Sequence, residues 1–241
     1  MDRGVYAIVS GAIGQELRMD IVAKNLANAQ TVGYKQEKTL FSSLLAKSVA
    51  GAHKKAQADK VFSRVGGTFL DWKSGAGRPT GQATDLTLDG EGFFVIQTPR
   101  GPEYTRAGNF VLNDKHQLVT LDGAPVLGQS GPMQIPAGKL LVNGQGEITV
   151  DGATVDTLKV VRFKDLASSV RVGERFITPG GVVPATETVV GQGRLEESNV
   201  NAVEQLIALI EINRQYEAAQ KVVQSMDEAA HLAVTDIARL A

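Results

Sequence analysis

Three histidines are the only imidazoles in this chain, and it has no cysteine. A metal centre or a general base would be sought first at His53, His116 and His231. They fall in three separate stretches, and none has a second ligand or a carboxylate at metal-binding spacing. Each therefore reads as a surface residue. Without thiols there is no disulfide, thiolate zinc site, iron–sulfur cluster or cysteine nucleophile. The pairs Gly90-Glu-Gly92, Gly144-Gln-Gly146 and Gly191-Gln-Gly193 invite comparison with nucleotide-binding loops. None goes on to a third glycine and an opening helix, and no glycine loop leads into Lys-Ser/Thr, as phosphate binding requires. They read as hairpin turns. Asp85 and Asp89 lie close together, but carboxylates on a strand and its turn are ordinarily solvated. Neither a Gly-x-Ser-x-Gly elbow nor a His-Glu-x-x-His pair is present. The residues offer no catalytic set, no cofactor site and no metal site, so the expectation is that the chain is not an enzyme.

Composition narrows the remaining classes. The 25 basic and 26 acidic residues leave a formal net charge of -1, which argues against a chain devoted to nucleic acid or anionic membrane. Aromatic residues at 5% are too few for a stacking platform. Apolar residues at 43% suffice for a core. The apolar stretch Val5 to Ile13 runs at once into Gln15, Glu16, Arg18 and Asp20. It is too short to span a membrane, and it lacks the basic lead and cleavage site of a secretory signal. Neither direct membrane insertion nor a cleaved signal peptide is expected.

The elements follow from periodicity. From Asp2 to Ala27, Val5, Ile8, Ala12, Met19, Val22 and Leu26 fall at steps of three and four with Gln15 in the series, which predicts a helix. Gly4, Ala7, Gly11 and Gly14 form a second stripe of small residues. Glycine costs about 1 kcal/mol per helical position relative to alanine. Such a stripe implies either close approach by another helix or a frayed end. The helix should stop near Asn28, with a turn at Gly33.

Residues 35–78 carry nine basic and three acidic side chains among Ala, Ser and Gly, with little aromatic interleaving. That composition predicts a solvated linker or a segment facing an acidic protein partner. From about Thr80 to Leu195 short apolar runs alternate with Asp89-Gly90, Asp122-Gly123, Asn143-Gly144 and Asp151-Gly152. Asx-Gly pairs suit the positive φ of tight hairpins, so this region reads as a compact β barrel or sandwich.

Residues 199–241 form the clearest helix. Asn201 can cap it, with Glu204 three residues on in capping-box register. A seam at alternating three and four runs through Val203, Leu206, Leu209, Asn213, Tyr216, Gln220, Val223, Asp227, Ala230, Val234, Ile237 and Leu240. A helix of this length is too long for a small β module to cover, so its seam must bury against other helices.

The fold expected is α+β. Terminal helices, 1–34 and 197–241, pair as a coiled-coil-like domain; residues 35–79 form an extended basic linker and 80–196 a mainly-β domain. The residues alone also allow a β binding or adhesion module displayed on a coiled-coil stalk.

Motifs along the chain add a further reading. Asn25-Leu-Ala-Asn-Ala-Gln-Thr-Val-Gly-Tyr-Lys35 resembles the N-terminal signature of the bacterial flagellar rod and hook protein family. Asp85-Leu-Thr-Leu-Asp-Gly-Glu-Gly-Phe-Phe-Val95, Tyr104-Thr-Arg-Ala-Gly-Asn-Phe110 and Leu118-Val-Thr-Leu-Asp-Gly-Ala-Pro-Val-Leu-Gly128 are similar to its β-domain stretches. Leu195-Glu-Glu-Ser-Asn-Val-Asn-Ala-Val-Glu204 with Asn213-Arg-Gln-Tyr-Glu217 resembles its C-terminal signature. His116 departs from the pattern, which generally has glycine in a turn there, and histidine tolerates positive φ better than bulkier residues.

The resemblance implies a structural subunit of the basal-body rod, stacked in an open helical array with copies of itself and other rod subunits. It implies passage through the flagellar type III export apparatus and a place in the rod crossing the periplasm. The inner packing would come from Val5, Ile8, Met19, Val22 and Leu26 with Val203, Leu206, Leu209, Tyr216, Val223, Val234 and Ile237. Short length and a single β domain favour a proximal-rod member over a distal-rod or hook member.

Overall fold

The computed structural model describes residues 2–45 and 61–240, and the side chains of residues 9–40, 67–229, 231, 232 and 235. The chain is α+β and divides into two units. One unit takes Met1–Ala27, Glu37–Phe69 and Asn201–Ala241; the other takes Asn28–Gln36 and Leu70–Val200.

The first unit contains α1 (Asp2–Ala27), β1 (Glu37–Leu45), β2 (Val61–Leu70) and α2 (Ala202–Leu240). The 39 residues of α2 extend roughly 58 Å at the α-helical rise. Its start is capped as expected at Asn201, whose Oδ1 accepts from the amides of Val203 (3.1 Å) and Glu204 (3.4 Å). Glu204 closes the box differently from the usual arrangement. Its carboxylate accepts from the Asn201 side-chain amide at 3.0 Å.

Residues 35–79, expected as an extended basic linker, instead contribute strands: β1 and β2 pair as a two-stranded sheet. Thr39, Leu40, Val61, Val65, Thr68 and Phe69 recur among the charges, and β-branched and aromatic residues favour a pleated strand. Counting charge alone hid that pattern. Lys47, His53, Lys54, Lys55 and Lys60 lie outside the described residues.

The second unit is β throughout. Its strands are β3 (Gly77–Pro79), β4 (Leu86–Asp89), β5 (Phe93–Thr98), β6 (Gly101–Thr105), β7 (Val111–Leu112), β8 (Leu118–Val119), β9 (Leu140–Val142), β10 (Glu147–Val150), β11 (Ala153–Thr157), β12 (Val160–Phe163), β13 (Val170–Val172), β14 (Arg175–Ile177), β15 (Val182–Pro184), β16 (Val189–Gln192) and β17 (Arg194–Glu196). An antiparallel sheet of order β13-β14-β6-β5-β12-β15 is joined by the three-stranded β11-β10-β9 and by the pairs β16-β4, β17-β3 and β7-β8.

The main core gathers Leu86, Leu88, Phe94, Ile96, Phe110, Met133 and Ile148 with their neighbours. A smaller cluster centres on Phe93, Phe163 and Phe176. Phe93 and Phe163 stack at 4.1 Å, and Trp72 meets Phe93, Phe163 and Phe176 edge-on at 5.4, 6.2 and 5.0 Å. Burial on this scale removes enough apolar surface from water to hold a β unit together.

The turns follow local chemistry only in part, and Asp89-Gly90 closes no hairpin, since β4 pairs with β16 and not with β5. Asp151 and Gly152 both have positive φ (51° and 86°) between Val150 and Ala153, the requirement of a two-residue type I′ hairpin. At Asn143-Gly144 the positive φ falls on Gly146 (80°) instead. There Asn143 Oδ1 accepts from the amides of Gln145 and Glu147, both at 3.0 Å, so the asparagine works as an Asx turn in a longer loop. His116 adopts φ 57°, in the left-handed region. A histidine there carries the steric cost of Cβ, which glycine escapes. His116→Gly should therefore raise stability by about 0.5–1 kcal/mol in urea denaturation, and a loss of stability would show that the imidazole makes a compensating contact.

Candidate functional site

Two features of the molecule are specific enough to be functional. The first is the terminal-helix pair of the first unit. Ile21, Val22 and Asn25 of α1 are buried, as are Gln205 and Ile212 of α2, and the helices lie in contact. Asn25 ties three elements together. Its Nδ2 donates to the Glu37 carbonyl at 2.7 Å and to Gln205 Oε1 at 3.5 Å, while its Oδ1 accepts from the Glu37 amide at 2.9 Å. At 1% exposure such an amide would be costly without those partners. Farther along, Val9, Ala12, Ile13 and Glu16 line a groove with Tyr216, Ala219, Gln220 and Val223.

The expected interface residues divide between the faces of these helices. Val22 is buried, and Met19, Leu26, Leu209, Tyr216 and Val223 are half-buried. Val203 and Leu206 are 64% and 46% exposed, and Ile207 and Ile210 beside them are 53% and 60% exposed. The covered stripe of α2 runs instead through Gln205, Leu209, Ile212, Tyr216, Ala219 and Val223. Apolar residues occupy both sides of α2 near its start, so spacing alone could not choose the side that α1 covers. The side chains of Val5, Ile8, Val234 and Ile237 lie outside the described residues, although all four belong to the helices. Val9, Ile13 and Leu17 form an exposed ridge on α1 at 41%, 61% and 40%. A Cβ built on Gly11 meets nothing within 4 Å, so this chain's own α2 does not use that glycine for close approach.

The second feature is a polar seam within the β unit, built from three segments far apart in sequence. Gly33 donates to the Glu196 carbonyl at 2.8 Å, Asp71 to the Gln36 carbonyl at 2.8 Å, and Glu197 to the Ala76 carbonyl at 2.8 Å. Asn199 Oδ1 accepts from the Gln36 amide at 2.7 Å while its Nδ2 donates to the carbonyls of Asp71 and Lys73. Gly33 has φ 68°, and a Cβ there would sit 2.4 Å from the Arg106 carbonyl carbon. Only glycine fits.

At the centre Lys35 and Glu196, 1% and 3% exposed at the side chain, pair at 2.6 Å. Lys35 Nζ also donates to the Lys73 carbonyl at 2.9 Å, and Glu196 Oε1 accepts from the Gly75 amide at 3.0 Å. Arg106 faces Glu196 Oε2 at 3.3 Å, and its Nη1 donates to the Leu88 carbonyl. Arg171 of β13 lies 4.0 Å over the Tyr34 ring and donates to the Lys35 carbonyl.

None of the polar residues of this seam stands among the expected site residues. Yet Tyr34, Lys35, Arg106, Glu196 and Asn199 all fall inside the family-like motifs. A buried charge within a motif flanked by turns was the available signal. Asp85, expected to be solvated, is buried at 9% and Asp89 is exposed. His116 and His231 are exposed. Among the described residues no group of three His, Cys, Asp or Glu is placed to hold a metal ion, and no helix is long and apolar enough to cross a membrane.

Burial pushes the Lys35 ammonium below the ordinary lysine value of 10.5, with attraction to Glu196 offsetting part of that and Arg106 adding to it. In the window from the lowered value up to 10.5 the unfolded chain binds more protons, so the folded state gains stability as pH rises. Lys35→Met, which leaves Glu196 with one cation, should cost about 3 kcal/mol near neutral pH. The gap from the unaltered chain should widen through that alkaline window in urea titrations. A gap that narrows would mean that the Glu196 attraction outweighs burial.

The same three regions are matched by family profiles. Residues 6–35 match the profile described as flagella basal body rod protein, residues 87–158 the flagellar hook protein FlgE/F/G D1 domain, and residues 192–231 the flagellar basal body rod FlgEFG protein C-terminal region. The chain is 34% identical to the flagellar basal-body rod protein FlgF of Rhizobium meliloti (strain 1021), over 90% of both chains. It is 33% identical to FlgF of Caulobacter vibrioides over 100% of this chain and 98% of the relative. It is 28% identical to the rod protein FlgG of Bacillus subtilis (strain 168) over 95% and 96%. With the matched regions falling in order on α1, the β unit and α2, and similarity running nearly end to end, this chain belongs to the flagellar basal-body rod and hook protein family.

Proposed function

We propose that this chain is a structural subunit of the flagellar basal-body rod, that it belongs to the proximal part, and that it assembles through its terminal helices. The observation that carries the assembly reading is the two-sided start of α2. One side meets α1, while Val203, Leu206, Ile207 and Ile210 stand exposed on the other. Four large apolar side chains exposed within two turns, on the side of the helix away from α1, mark an interaction face. The exposed ridge Val9, Ile13 and Leu17 on α1 is a second such face, different from the first. Two unlike faces on one subunit suit head-to-tail contacts, which propagate into an open helical array instead of closing.

In this reading Val22, Leu209, Tyr216 and Val223 hold the helices of one chain in a coiled-coil-like pair. Val203 and Leu206 turn to the neighbouring subunits, and Val5, Ile8, Val234 and Ile237 extend the contact toward the helix ends. The subunit is a mechanical part that carries torque in flagellum-driven motility, with no catalytic role and no cofactor. Its partners are copies of itself and other rod subunits, with delivery by the flagellar export apparatus. The proximal position is supported by the FlgF relatives, at 34% and 33% identity, against 28% for the FlgG relative.

Leu206→Glu with Ile210→Glu tests the interface. Both positions are exposed in the single chain, so stability should shift by no more than about 0.5 kcal/mol each. Rod assembly and swimming should nevertheless be lost in a strain carrying the doubly substituted chain. Normal swimming with the variant in place would remove the reading. Imaging of basal bodies from a strain lacking the chain should show a rod that stops in its proximal part. A rod that stops beyond it would move the subunit to the distal position.

A further inference from the structure

The apolar clusters of the β unit and its polar seam are built from different stretches of chain. No residue of 28–36 or 194–200 belongs to either hydrophobic cluster. Those two stretches bury Tyr34, Leu195 and Val200 and are joined by backbone and side-chain hydrogen bonds and by the buried charges, across sequence separations of 161 residues for Lys35–Glu196 and 163 for Gln36–Asn199. Strand β17, which opens the second stretch, pairs only with the short β3 in a separate two-stranded sheet.

Two physical consequences follow. The core can keep its packing when these stretches leave it, because their buried apolar side chains, Tyr34, Leu195 and Val200, stand outside its two clusters. The seam itself cannot open piecemeal. Removing Glu196 leaves two cations, Lys35 and Arg106, buried without their carboxylate, and removing Lys35 releases the Lys73 carbonyl as well. Asn199 makes the same point with neutral groups, since one side chain holds the Gln36 amide and two carbonyls of the middle segment.

We propose that this seam is a latch: the β unit populates an open form in which 28–36 and 194–200 are released together while the core around Phe94 and Ile148 stays folded. The first stretch lies in the chain between α1 and β1, and the second directly precedes α2. One event therefore frees or fixes the chain at the root of each terminal helix. The Arg171 guanidinium, lying over Tyr34 and bonded to the Lys35 carbonyl, acts as the clasp that the β13–β14 hairpin adds.

Amide hydrogen exchange on the full chain tests this. In the unaltered protein the amides of Gly33, Gln36, Asp71, Glu197 and Asn199 should exchange as one group, faster than those of Val95, Val126, Met133 and Leu158 in the core. Lys35→Met should speed the whole seam group about 100-fold, and in both proteins the seam group should stay faster than the core group and open with a far weaker urea dependence. Asn199→Ala, a milder change that keeps the charges, should speed the same group roughly tenfold. Seam amides that exchange at the core rate and with the core's urea dependence would overturn the latch, because the unit would then open only as a whole. Acceleration confined to the amides beside the substituted residue, or no acceleration at all, would overturn it too.

Discussion

A carboxylate with almost no access to water must find its partners inside the protein, and Glu196 finds them on three separate stretches of chain. Lys35 comes from the N-terminal stretch, Gly75 from the segment before β3, and Arg106 from the turn after β6. A buried charge tolerates few arrangements, so this requirement settles where three otherwise independent stretches must run. Gly33 follows from it, because the chain reaches Lys35 only by passing against the Arg106 backbone where no Cβ fits. Asn199 follows as well, since the open backbone groups of Gln36, Asp71 and Lys73 need a single side chain with both donors and an acceptor.

The helical unit obeys a different logic. Among the described side chains of α1 the one deeply buried polar anchor is Asn25, neutral and hydrogen-bonded, so it sets the register of α1 against β1 and α2 without the desolvation cost of a charge. Beyond that anchor the helices depend on apolar stripes, and α2 carries more apolar surface near its start than α1 covers. A monomer gains nothing from leaving Ile207 and Ile210 in water. In the proposed assembly, neighbouring subunits supply the missing cover.

Much of this was legible in the residues. The long uninterrupted seam and the Asn201 cap announced α2, and Asn143-Gly144 and Asp151-Gly152 announced hairpins that join β9 to β10 and β10 to β11, whereas at Asp89-Gly90 β4 pairs with β16 and not with β5. Three things were not legible, each for a physical reason. Charge counting concealed β1 and β2, because strand propensity sits in the Thr, Val and Phe between the lysines. The covered side of α2 could not be chosen while both sides were apolar, and the structure selected Gln205 and Ile212 over Val203 and Leu206. The Lys35–Glu196 pair joins residues 161 apart, and a single sequence carries no mark of such a pairing beyond the presence of each partner in a family-like motif.

The aromatic cluster beside the seam has an optical consequence. Trp72 is the only tryptophan in the chain, and three phenylalanine rings surround it edge-on within the β unit. Light absorbed at the red edge of the protein band is therefore emitted from one place, adjoining Asp71 and Lys73. Far-ultraviolet ellipticity, by contrast, is dominated by α1 and α2. The two halves of the subunit thus report in different colours, and the ordering of the helices can be followed apart from the state of the β unit without attaching a dye.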